Sequence, residues 1–371
     1  MTGQQKTPTV SDILELALAS LLEKFPSFMI DGTPQQLSGG FLNYVWRVKG
    51  KNLLGADSVI VKWMPAYIAS APDVPLDPAR ISIEASAMSL FEKGEALEKI
   101  SQNGIRPPRL YHLDKERRLL IMEDLGQSPN LGDWLQGSHT KLEAEKVGMS
   151  LGQFIGALHK VTAHRSLFAR LFNNVQIQRT RLDFQYKNIQ SYAARAGLAN
   201  ADEIGKQAVQ LGERLQQPGS NLIMGDLWPP SVIVTTSGLR LIDWELAHFG
   251  HPSQDVGHFA AHLWMVAQRA STSEIMANAV TILTHFLESY RDVLGNEFGN
   301  LFGVNGVRES SVHFGCEIFT RTVGSFQSDY LYGGLSPDHP IIQEAVQTAS
   351  AHILNPLDMR TFDSLGWRLD E

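Results

Sequence analysis

Oxygen-bearing side chains gather in one short stretch of the chain, between positions 226 and 245. Asp226 follows an apolar run, Asp243 and Glu245 follow the next one, and Ser231 lies between them. Carboxylate and hydroxyl oxygens are the hard ligands that Mg²⁺ takes from proteins, usually together with phosphate oxygens and water. A separate aspartate can orient or deprotonate a hydroxyl nucleophile. The residue types therefore indicate metal-assisted phosphoryl transfer, which asks the protein mainly for positioning and charge neutralisation.

A β-hairpin is predicted to hold this cluster together. Two apolar strands flank residues 236–238, a Thr-Ser-Gly run with the composition of a tight turn. With the turn centred on Ser237, Ser231 faces Asp243, and a register shifted by one keeps the two adjacent. Asp226 lies just beyond the same end of the hairpin.

The N-terminal third of the chain offers a second set of groups suited to phosphates. Ser38, Gly39 and Gly40 can bring backbone N–H groups close to phosphate oxygens. Lys62 lies on a β-branched strand and can reach the same phosphates, and Glu84, on the following helix, can pair with it. We expect this pairing to aim the lysine.

The hydrophobic pattern predicts a sheet-rich N-terminal part and a mainly helical remainder. Strands are predicted over 37–48 with a glycine turn, 58–63, 110–113 and 118–122, and helices over 10–22, capped by Ser11, and 80–93. Residues 64–78 are predicted to be a loop. Helical spacing dominates after Gly126. The fold class is therefore α+β, with an N-terminal lobe of residues 1–125 and a C-terminal lobe of residues 126–371.

Taken together, these motifs resemble the aminoglycoside phosphotransferase and choline kinase-like family, which has a bilobal protein-kinase-like fold. Within that family the methylthioribose kinases are the most similar. The resemblance is carried by a glycine loop at 40–45, a lysine segment at 61–68, a hinge at 122–125, a Gly-Asp-Leu loop at 225–227, an Asp-x-Glu motif at 243–245 and a helical stretch at 314–324.

The resemblance implies a role for each matching residue. Asp226 orients or deprotonates the acceptor hydroxyl, Asp243 and Glu245 hold Mg²⁺ with Ser231 nearby, and Arg321 faces the acceptor. Lys62 binds the α- and β-phosphates of ATP, and backbone groups around Glu123 and Leu125 hold adenine. The implied ATP-binding set is Ser38, Gly39, Gly40, Asn43, Lys62, Glu84, Glu123 and Leu125.

Four positions depart from the family pattern. Met224 replaces the histidine that usually precedes the Gly-Asp pair, Trp228 begins a run that replaces a His-Thr-Gly-like one, and Trp244 replaces a proline. Thr320 replaces the first arginine of a pair that methylthioribose kinases use on the acceptor, so a single guanidinium remains there.

The resemblance implies ATP-dependent phosphorylation of a hydroxyl on a small molecule, with 5-methylthioribose or a related sugar as the first expectation. A kinase of another small alcohol, an amino alcohol or an aminoglycoside is the alternative within the same class. A catalytically silent nucleotide-binding protein is the alternative from another class. Methylthioribose kinases are typically dimeric, so the resemblance also implies a homodimer.

Composition bears on the kinds of partner, metal site and compartment that we expect. The 371 residues include 32 Lys and Arg against 39 Asp and Glu, a formal net charge of −7, which argues against a nucleic-acid partner. Cys316 is the only cysteine, so neither an intrachain disulfide nor a cysteine zinc cage can form. We see no secretory signal and no apolar run of about 18 residues, and we expect a cytoplasmic protein without a membrane partner.

Two further groups have less specific interpretations. Asp255 is expected to brace the Gly-Asp loop or to cap a helix. His258 and His262 are four residues apart and could share a helix face, but no third ligand for zinc is evident in the sequence. We therefore expect no zinc site.

Overall fold

The computed structural model describes residues 8–37, 42–53, 55–101, 104–328 and 330–366. Its strands are β1 (Met29–Ile30), β2 (Gln35–Gln36), β3 (Tyr44–Leu53), β4 (Ala56–Trp63), β5 (Tyr67–Ile68), β6 (Ala71–Pro75), β7 (Ile105–Arg106), β8 (Leu110–Asp114), β9 (Leu119–Glu123), β10 (Asn221–Ile223), β11 (Val232–Thr235), β12 (Gly238–Leu241) and β13 (His248–Gly250).

Its helices are α1 (Val10–Lys24), α2 (Arg80–Leu90), α3 (Glu98–Ser101), α4 (Leu131–Leu135), α5 (Lys141–Thr162), α6 (Ser166–Leu171), α7 (Val175–Phe184), α8 (Ile189–Arg195), α9 (Ala201–Leu215), α10 (Ser253–Gln268), α11 (Ser273–Leu294), α12 (Phe298–Leu301), α13 (Gly303–Thr322) and α14 (Pro340–Leu354). Short 3₁₀ helices lie at Tyr186–Asn188, Pro229–Ser231, Trp244–Leu246, Gly295–Glu297 and Phe362–Ser364. The chain divides into two compact units, one of residues 1–96 and 107–127, the other of residues 97–106 and 128–371.

The first unit is built on an antiparallel sheet in the order β1-β3-β4-β9-β8, with β2 also paired to β3. Side chains of a strand alternate between the two faces of its sheet. Along β9, Leu119 and Ile121 belong to one apolar cluster, which α1 completes, whereas Leu120 and Met122 belong to a second cluster, which α2 completes. Both faces of β9 are therefore buried. The strands predicted at 58–63, 110–113 and 118–122 and the helices at 10–22 and 80–93 are confirmed to within a few residues. Of the predicted strand, turn and strand at 37–48, β3 covers the second strand, and the glycine turn lies outside the described residues. The predicted loop at 64–78 contains the short hairpin β5–β6.

Helix α1 is capped by Thr9, so the predicted cap at Ser11 is wrong. Thr9 Oγ1 accepts a hydrogen bond from Asp12 N at 3.2 Å, and the Asp12 carboxylate accepts one from Thr9 N at 2.9 Å. This reciprocal pair satisfies N–H groups that have no partner inside the helix. Ser11 lies within the first helical turn.

Helices dominate the second unit, and α10 lies at its centre with every residue from Ser253 to Ala267 buried. Helix α10 packs against α11 and α13, and α13 also packs against α14. Helices α5 and α11 approach closely because Gly152 has no Cβ, which would lie 2.3 Å from the Phe286 carbonyl oxygen. Within the described residues, no helix is both long enough and apolar enough to span a lipid bilayer.

Two small sheets interrupt these helices, β11-β12-β7 and β10-β13. In the hairpin β11–β12, Val232 pairs with Leu241 and Thr235 with Gly238, so the turn holds two residues. The predicted pairing of Ser231 with Asp243 is wrong by one position, because the turn is one residue shorter than its composition suggested. The Ser231 carbonyl instead accepts a hydrogen bond from Ile242 N at 2.9 Å.

Candidate active site

The first unit confirms the predicted pairing of Lys62 with Glu84. Lys62 Nζ lies 3.0 and 2.8 Å from the two Glu84 carboxylate oxygens, and both residues are buried. Strand β4 supplies the lysine and α2 the glutamate. Because the ammonium is held from one side by both oxygens, its position is fixed before any ligand arrives. Its contact with phosphates stays a prediction.

Arg80 ties the segment that carries Asn43 to the same helix α2. Its guanidinium donates to Asn43 Oδ1 at 3.0 Å and to the carbonyls of Pro65 and Asp77 at 2.8 and 3.0 Å. A buried guanidinium with this many acceptors is a rigid anchor. The predicted phosphate loop that precedes Asn43, residues 38–40, lies outside the described residues.

Asp124 fixes the predicted hinge after β9. Its carboxylate accepts hydrogen bonds from Arg47 Nε at 2.7 Å, Ser58 Oγ at 2.6 Å and Gly126 N at 3.0 Å. Burial works to raise the pKa of Asp124, but these donors and the Arg47 charge bring it below its ordinary value. The neighbouring Glu123 carboxylate accepts a hydrogen bond from Arg109 N at 2.9 Å. The backbone is thereby held in one conformation, whereas its contact with adenine stays a prediction, as it does for Leu125.

In the second unit, Asp255 braces the loop that carries Asp226, as expected from the sequence. The two Asp255 carboxylate oxygens accept hydrogen bonds from Met224 N and Gly225 N, both at 2.8 Å, and His159 Nε2 lies 3.3 Å away. Asp255 is fully buried. Burial works to raise its pKa, but the His159 contact and the two backbone donors lower it, so the carboxylate stays ionised.

Gly225 is required at its position in this loop. Its φ is +80°, and a Cβ there would lie 2.4 Å from the Leu246 carbonyl oxygen. A side chain at this position would be strained and would also displace the backbone beside Asp226. The loop therefore lies too close to the Trp244–Leu246 3₁₀ helix to leave room for a side chain at this position.

Asp226 is surrounded by positively charged or hydrogen-bonding groups. Its Oδ1 lies 3.4 Å from Arg181 Nη2 and 3.3 Å from His258 Nε2, and 21% of the side chain is exposed. Burial works to raise the pKa of Asp226, but His258, Arg181 and Arg321 together bring it below its ordinary value. Asp226 is therefore an ionised carboxylate with access to solvent, which suits a group that orients an acceptor hydroxyl.

Ser231 bonds mainly to the loop itself. Its single O–H is shared between the carbonyls of Trp228 at 2.9 Å and Asp226 at 3.2 Å, and its oxygen accepts from Trp228 N at 3.2 Å. These bonds close the 3₁₀ turn at Pro229–Ser231. One lone pair of the hydroxyl remains for a further ligand, so the predicted metal contact stays a prediction.

Asp243 has a backbone conformation that is uncommon for a residue with a side chain. Its φ of 63° and ψ of 55° lie in the left-handed region, which costs roughly 1–2 kcal/mol for a non-glycine residue. Such strain is often found at functional sites. Glu245 lies two residues on, in a 3₁₀ helix whose Glu245 carbonyl accepts a hydrogen bond from Asn174 Nδ2 at 3.0 Å. Metal binding by either carboxylate stays a prediction.

Arg321 lies in an aromatic surround. Its guanidinium carbon is 4.7 Å from the ring centre of Trp228, 5.5 Å from that of Tyr330 and 5.4 Å from that of Phe326. Its Nε donates to Glu317 Oε1 at 2.7 Å. The planar guanidinium is thus stacked and paired at once, and its predicted contact with the acceptor stays a prediction.

Sequence reasoning missed two residues that the structure places beside these groups. Arg181, on α7, donates to the Gly225 carbonyl at 2.7 Å, and Glu317, on α13, meets His262 Nε2 at 3.1 Å. Glu317 therefore supplies the third group beside His258 and His262 that the sequence did not reveal. No local motif marks Arg181, and Glu317 lies in the helical stretch 314–324 but was given no role there. Each reaches the site from a helix distant in the sequence.

Comparison with known proteins now identifies the family. Residues 33–289 match the phosphotransferase enzyme family, APH, which is more than half of the chain. The chain belongs to this family. By that membership it is a small-molecule kinase, and the predicted resemblance is confirmed.

Relatives within the family differ in acceptor. A 4-hydroxytryptamine kinase from Psilocybe cyanescens is 30% identical over 273 residues, which cover 68% of this chain and 74% of that protein. A methylthioribose kinase from Exiguobacterium sibiricum is 24% identical over 321 residues, which cover 79% of each. The sequence reasoning named the second group and not the first.

A solved structure confirms the predicted fold class. Choline kinase from Cryptosporidium parvum Iowa II superposes with a TM-score of 0.51 at 13% identity, covering 92% of this chain and 95% of that one. At this identity the likeness shows the fold alone. The chain thus has the α+β protein-kinase-like fold of the phosphotransferase family.

Proposed function

We propose that this kinase transfers the γ-phosphoryl group of ATP to a hydroxyl of a small ring-bearing molecule, with 5-methylthioribose or a related sugar as the first candidate. The observation that carries the proposal is the Asp226 carboxylate. This carboxylate is ionised and partly exposed, and the Arg181 guanidinium lies beside it. Hydrogen bonds from the backbone of its loop to Asp255 hold the loop in place.

The first unit supplies the groups for ATP. Lys62 is aimed by Glu84 and binds the α- and β-phosphates, and the backbone at Glu123 and Leu125 binds adenine. Support comes from the buried bidentate pair of Lys62 with Glu84 and from the fixed backbone next to Asp124. Asn43, which Arg80 anchors, belongs to the same ATP-binding set.

Mg²⁺ is the cofactor that the second unit fits. Asp243 and Glu245 offer carboxylate oxygens two residues apart, which is the donor chemistry that Mg²⁺ prefers. The strained backbone of Asp243 supports a functional role for its side chain. When bound, the ion neutralises charge on the phosphates. Ser231 orders the loop between the two carboxylate groups and Asp226.

The reaction follows from the charges around Asp226. The acceptor hydroxyl donates a hydrogen bond to the Asp226 carboxylate, its oxygen bonds to the γ-phosphorus, and the bond from that phosphorus to the leaving ADP oxygen breaks. The hydroxyl proton passes to Asp226 and from there to solvent. Because the pKa of Asp226 is low, its main contribution is orientation, which suits a loose transition state.

Two guanidinium groups support a sugar as acceptor. Arg181 Nη1 is buried and has no hydrogen-bond partner among the described residues, and Arg321 acts on Asp226 at longer range. Both can donate to ring and hydroxyl oxygens. Arg181 thus supplies a second guanidinium where Thr320 has replaced one member of the arginine pair of methylthioribose kinases. An ammonium group next to the reacting hydroxyl would be disfavoured.

A hydroxyindole is the second candidate, and the aromatic groups favour it. Trp228 and Tyr330 are half-buried, and their ring centres lie 5.6 Å apart near Arg321. Rings of this kind pack well against a flat aromatic acceptor. The 30% identity to a 4-hydroxytryptamine kinase points the same way.

An acceptor panel separates the candidates. ADP release would be measured with Mg-ATP and 5-methylthioribose, ribose, 4-hydroxytryptamine, choline and an aminoglycoside. We expect the highest kcat/KM with 5-methylthioribose and a lower one with 4-hydroxytryptamine. The reverse order would replace the first candidate by the second. ATP binding without turnover on any acceptor would contradict the kinase function.

A further inference from the structure

His258 lies between two carboxylates in the buried centre of the second unit. Its Nε2 is 3.3 Å from Asp226 Oδ1 and its Nδ1 is 3.5 Å from Glu317 Oε2, and the residue is 2% exposed. Neither ring nitrogen has an aligned hydrogen-bond partner within the described part of the chain. A buried imidazole that faces a carboxylate on each side is unusual enough to need an explanation.

Only one protonation state of His258 suits both neighbours. A neutral imidazole has one N–H and one lone pair, so one of its nitrogens would face carboxylate lone pairs with a lone pair of its own. The imidazolium has no such lone pair, and in a buried site the attraction of its charge to both carboxylates is weakly screened. The geometry therefore favours a positively charged ring.

Glu317 also has hydrogen-bond donors other than His258. Arg321 Nε donates to one oxygen at 2.7 Å and Gln185 Nε2 to the other at 2.6 Å, with His262 Nε2 at 3.1 Å. Burial works to raise the pKa of Glu317, but the charges of His258 and Arg321 and the His262 contact keep it well below its ordinary value. Glu317 thus provides a fixed negative charge on the far side of His258.

We propose that His258 is a positioning residue that, as an imidazolium, bridges Asp226 and Glu317 and thereby fixes the orientation of the Asp226 carboxylate toward the acceptor. The proposal rests on the proposed function, because Asp226 needs this orientation only if it receives an acceptor hydroxyl. Glu317, on α13, then holds His258, on α10, and His258 in turn holds Asp226 in the loop. No atom is transferred to or from His258 during turnover.

The charges around His258 come from four parts of the unit. The titratable and charged groups that face it or its two partners are Asp226 in the loop, Arg181 on α7, His262 on α10, and His313, Glu317 and Arg321 on α13. His258 itself faces the two carboxylates, whereas the guanidinium groups of Arg181 and Arg321 contact Asp226 and Glu317 from other sides.

A bound transition metal is the competing explanation of the same cluster. Ligand atoms of His258, His262 and Glu317 lie within 4.8 Å of one another. However, Arg321 and Gln185 already donate to the two Glu317 oxygens, so a metal would have to displace a guanidinium while adding two positive charges beside it. A His258 imidazolium between Asp226 and Glu317 leaves the guanidinium in place and adds no metal charge.

NMR of the ¹⁵N-labelled histidine ring tests the bridge without turnover. We expect both ring nitrogens of His258 to have imidazolium shifts in the wild type. Glu317→Gln removes one of the two carboxylates, so the shift of the ring nitrogen that faces it should change. A neutral ring in the wild type, or one stoichiometric transition metal in the purified protein, would overturn the proposal.

Kinetics test the positioning role. His258→Gln keeps the size of the side chain but not its charge, and we expect kcat to fall about tenfold or more with KM for ATP within about twofold. An unchanged kcat in a folded His258→Gln variant would overturn the role.

His313 provides the matched control. It is equally buried and stacks on His258 with ring centres 5.5 Å apart, but its Nδ1 lies 2.8 Å from the Tyr186 hydroxyl and not from a carboxylate. His313→Gln should therefore keep the wild-type kcat even if it loses stability. If the wild type transfers no phosphoryl group to any acceptor, the proposed function and the positioning role fail together, while NMR still decides the bridge.

Discussion

Replacing Asp255 should destabilise the protein more than any exposed acidic residue does. The Asp255 carboxylate is the acceptor for two buried backbone N–H groups at 2.8 Å and faces His159. Asp255→Ala leaves both N–H groups without a partner, at about 1–3 kcal/mol each. We therefore expect the free energy of unfolding to fall by about 3–5 kcal/mol.

Urea denaturation measures this loss, provided that the m-value is unchanged. Asp255→Asn retains one acceptor oxygen, so we expect about half of the loss. Asp183→Ala is the control, because the Asp183 side chain pairs with Lys187 in an exposed i,i+4 contact, and its change should stay within about 0.5 kcal/mol. An Asp255→Ala variant that loses less than about 1 kcal/mol would refute the assigned brace.

The pH dependence of the same loss has a defined sign. The pKa of Asp255 is lower in the folded protein than its ordinary value, so its contribution is complete above the unfolded pKa of about 3.9 and is lost as the pH falls through the folded pKa. The gap between wild type and Asp255→Ala should be constant from pH 7 to 5. A gap that narrows within that range would contradict an ionised, hydrogen-bonded carboxylate.

Three further predictions address the groups for ATP, the metal and the loop. Glu84→Gln removes the charge that aims Lys62 and should raise KM for ATP by about tenfold or more, measured by initial rates, whereas a KM within twofold would contradict the pairing role. Asp243→Asn should shift the Mg²⁺ dependence of kcat to higher concentration, and an identical Mg²⁺ titration would exclude this carboxylate from metal binding. Gly225→Ala places a Cβ 2.4 Å from the Leu246 carbonyl oxygen and should lower the free energy of unfolding by about 1–3 kcal/mol, measured by urea denaturation. An unchanged free energy of unfolding would show that the loop can move away.

Residues that form recognisable local motifs could be predicted from the sequence. Lys62 and Asp226 each lie at the end or edge of an apolar run, and their types are rare in such runs. Their chemistry was therefore visible without coordinates. The pairing of Lys62 with Glu84 followed because the helix after the strand offers a carboxylate within reach.

Groups that arrive from distant helices could not be predicted. Arg181 and Glu317 look like ordinary helix residues in the sequence, since nothing in a helical pattern says which polar position faces a neighbouring loop. Only the packing of α7, α10 and α13 brings them to Asp226 and His258.

The sequence also could not determine the exact strand register of the hairpin or the exact cap of helix α1. The composition of residues 236–238 predicts a turn but does not distinguish two turn residues from three, so the partner of Ser231 was wrong by one position. In the same way, both Thr9 and Ser11 have side chains that cap helices. Thr9 is the cap because Asp12 lies three residues on and returns the bond.

Transfer of radiolabelled phosphate from [γ-³²P]ATP to the acceptor found in the panel tests the central claim most directly. We predict a labelled small-molecule product with the wild type, and a rate at least about a hundredfold lower with Asp226→Asn, a variant that removes the charge but keeps the shape. Asp183→Asn, the exposed control, should match the wild type. Full transfer by a folded Asp226→Asn variant would contradict the account.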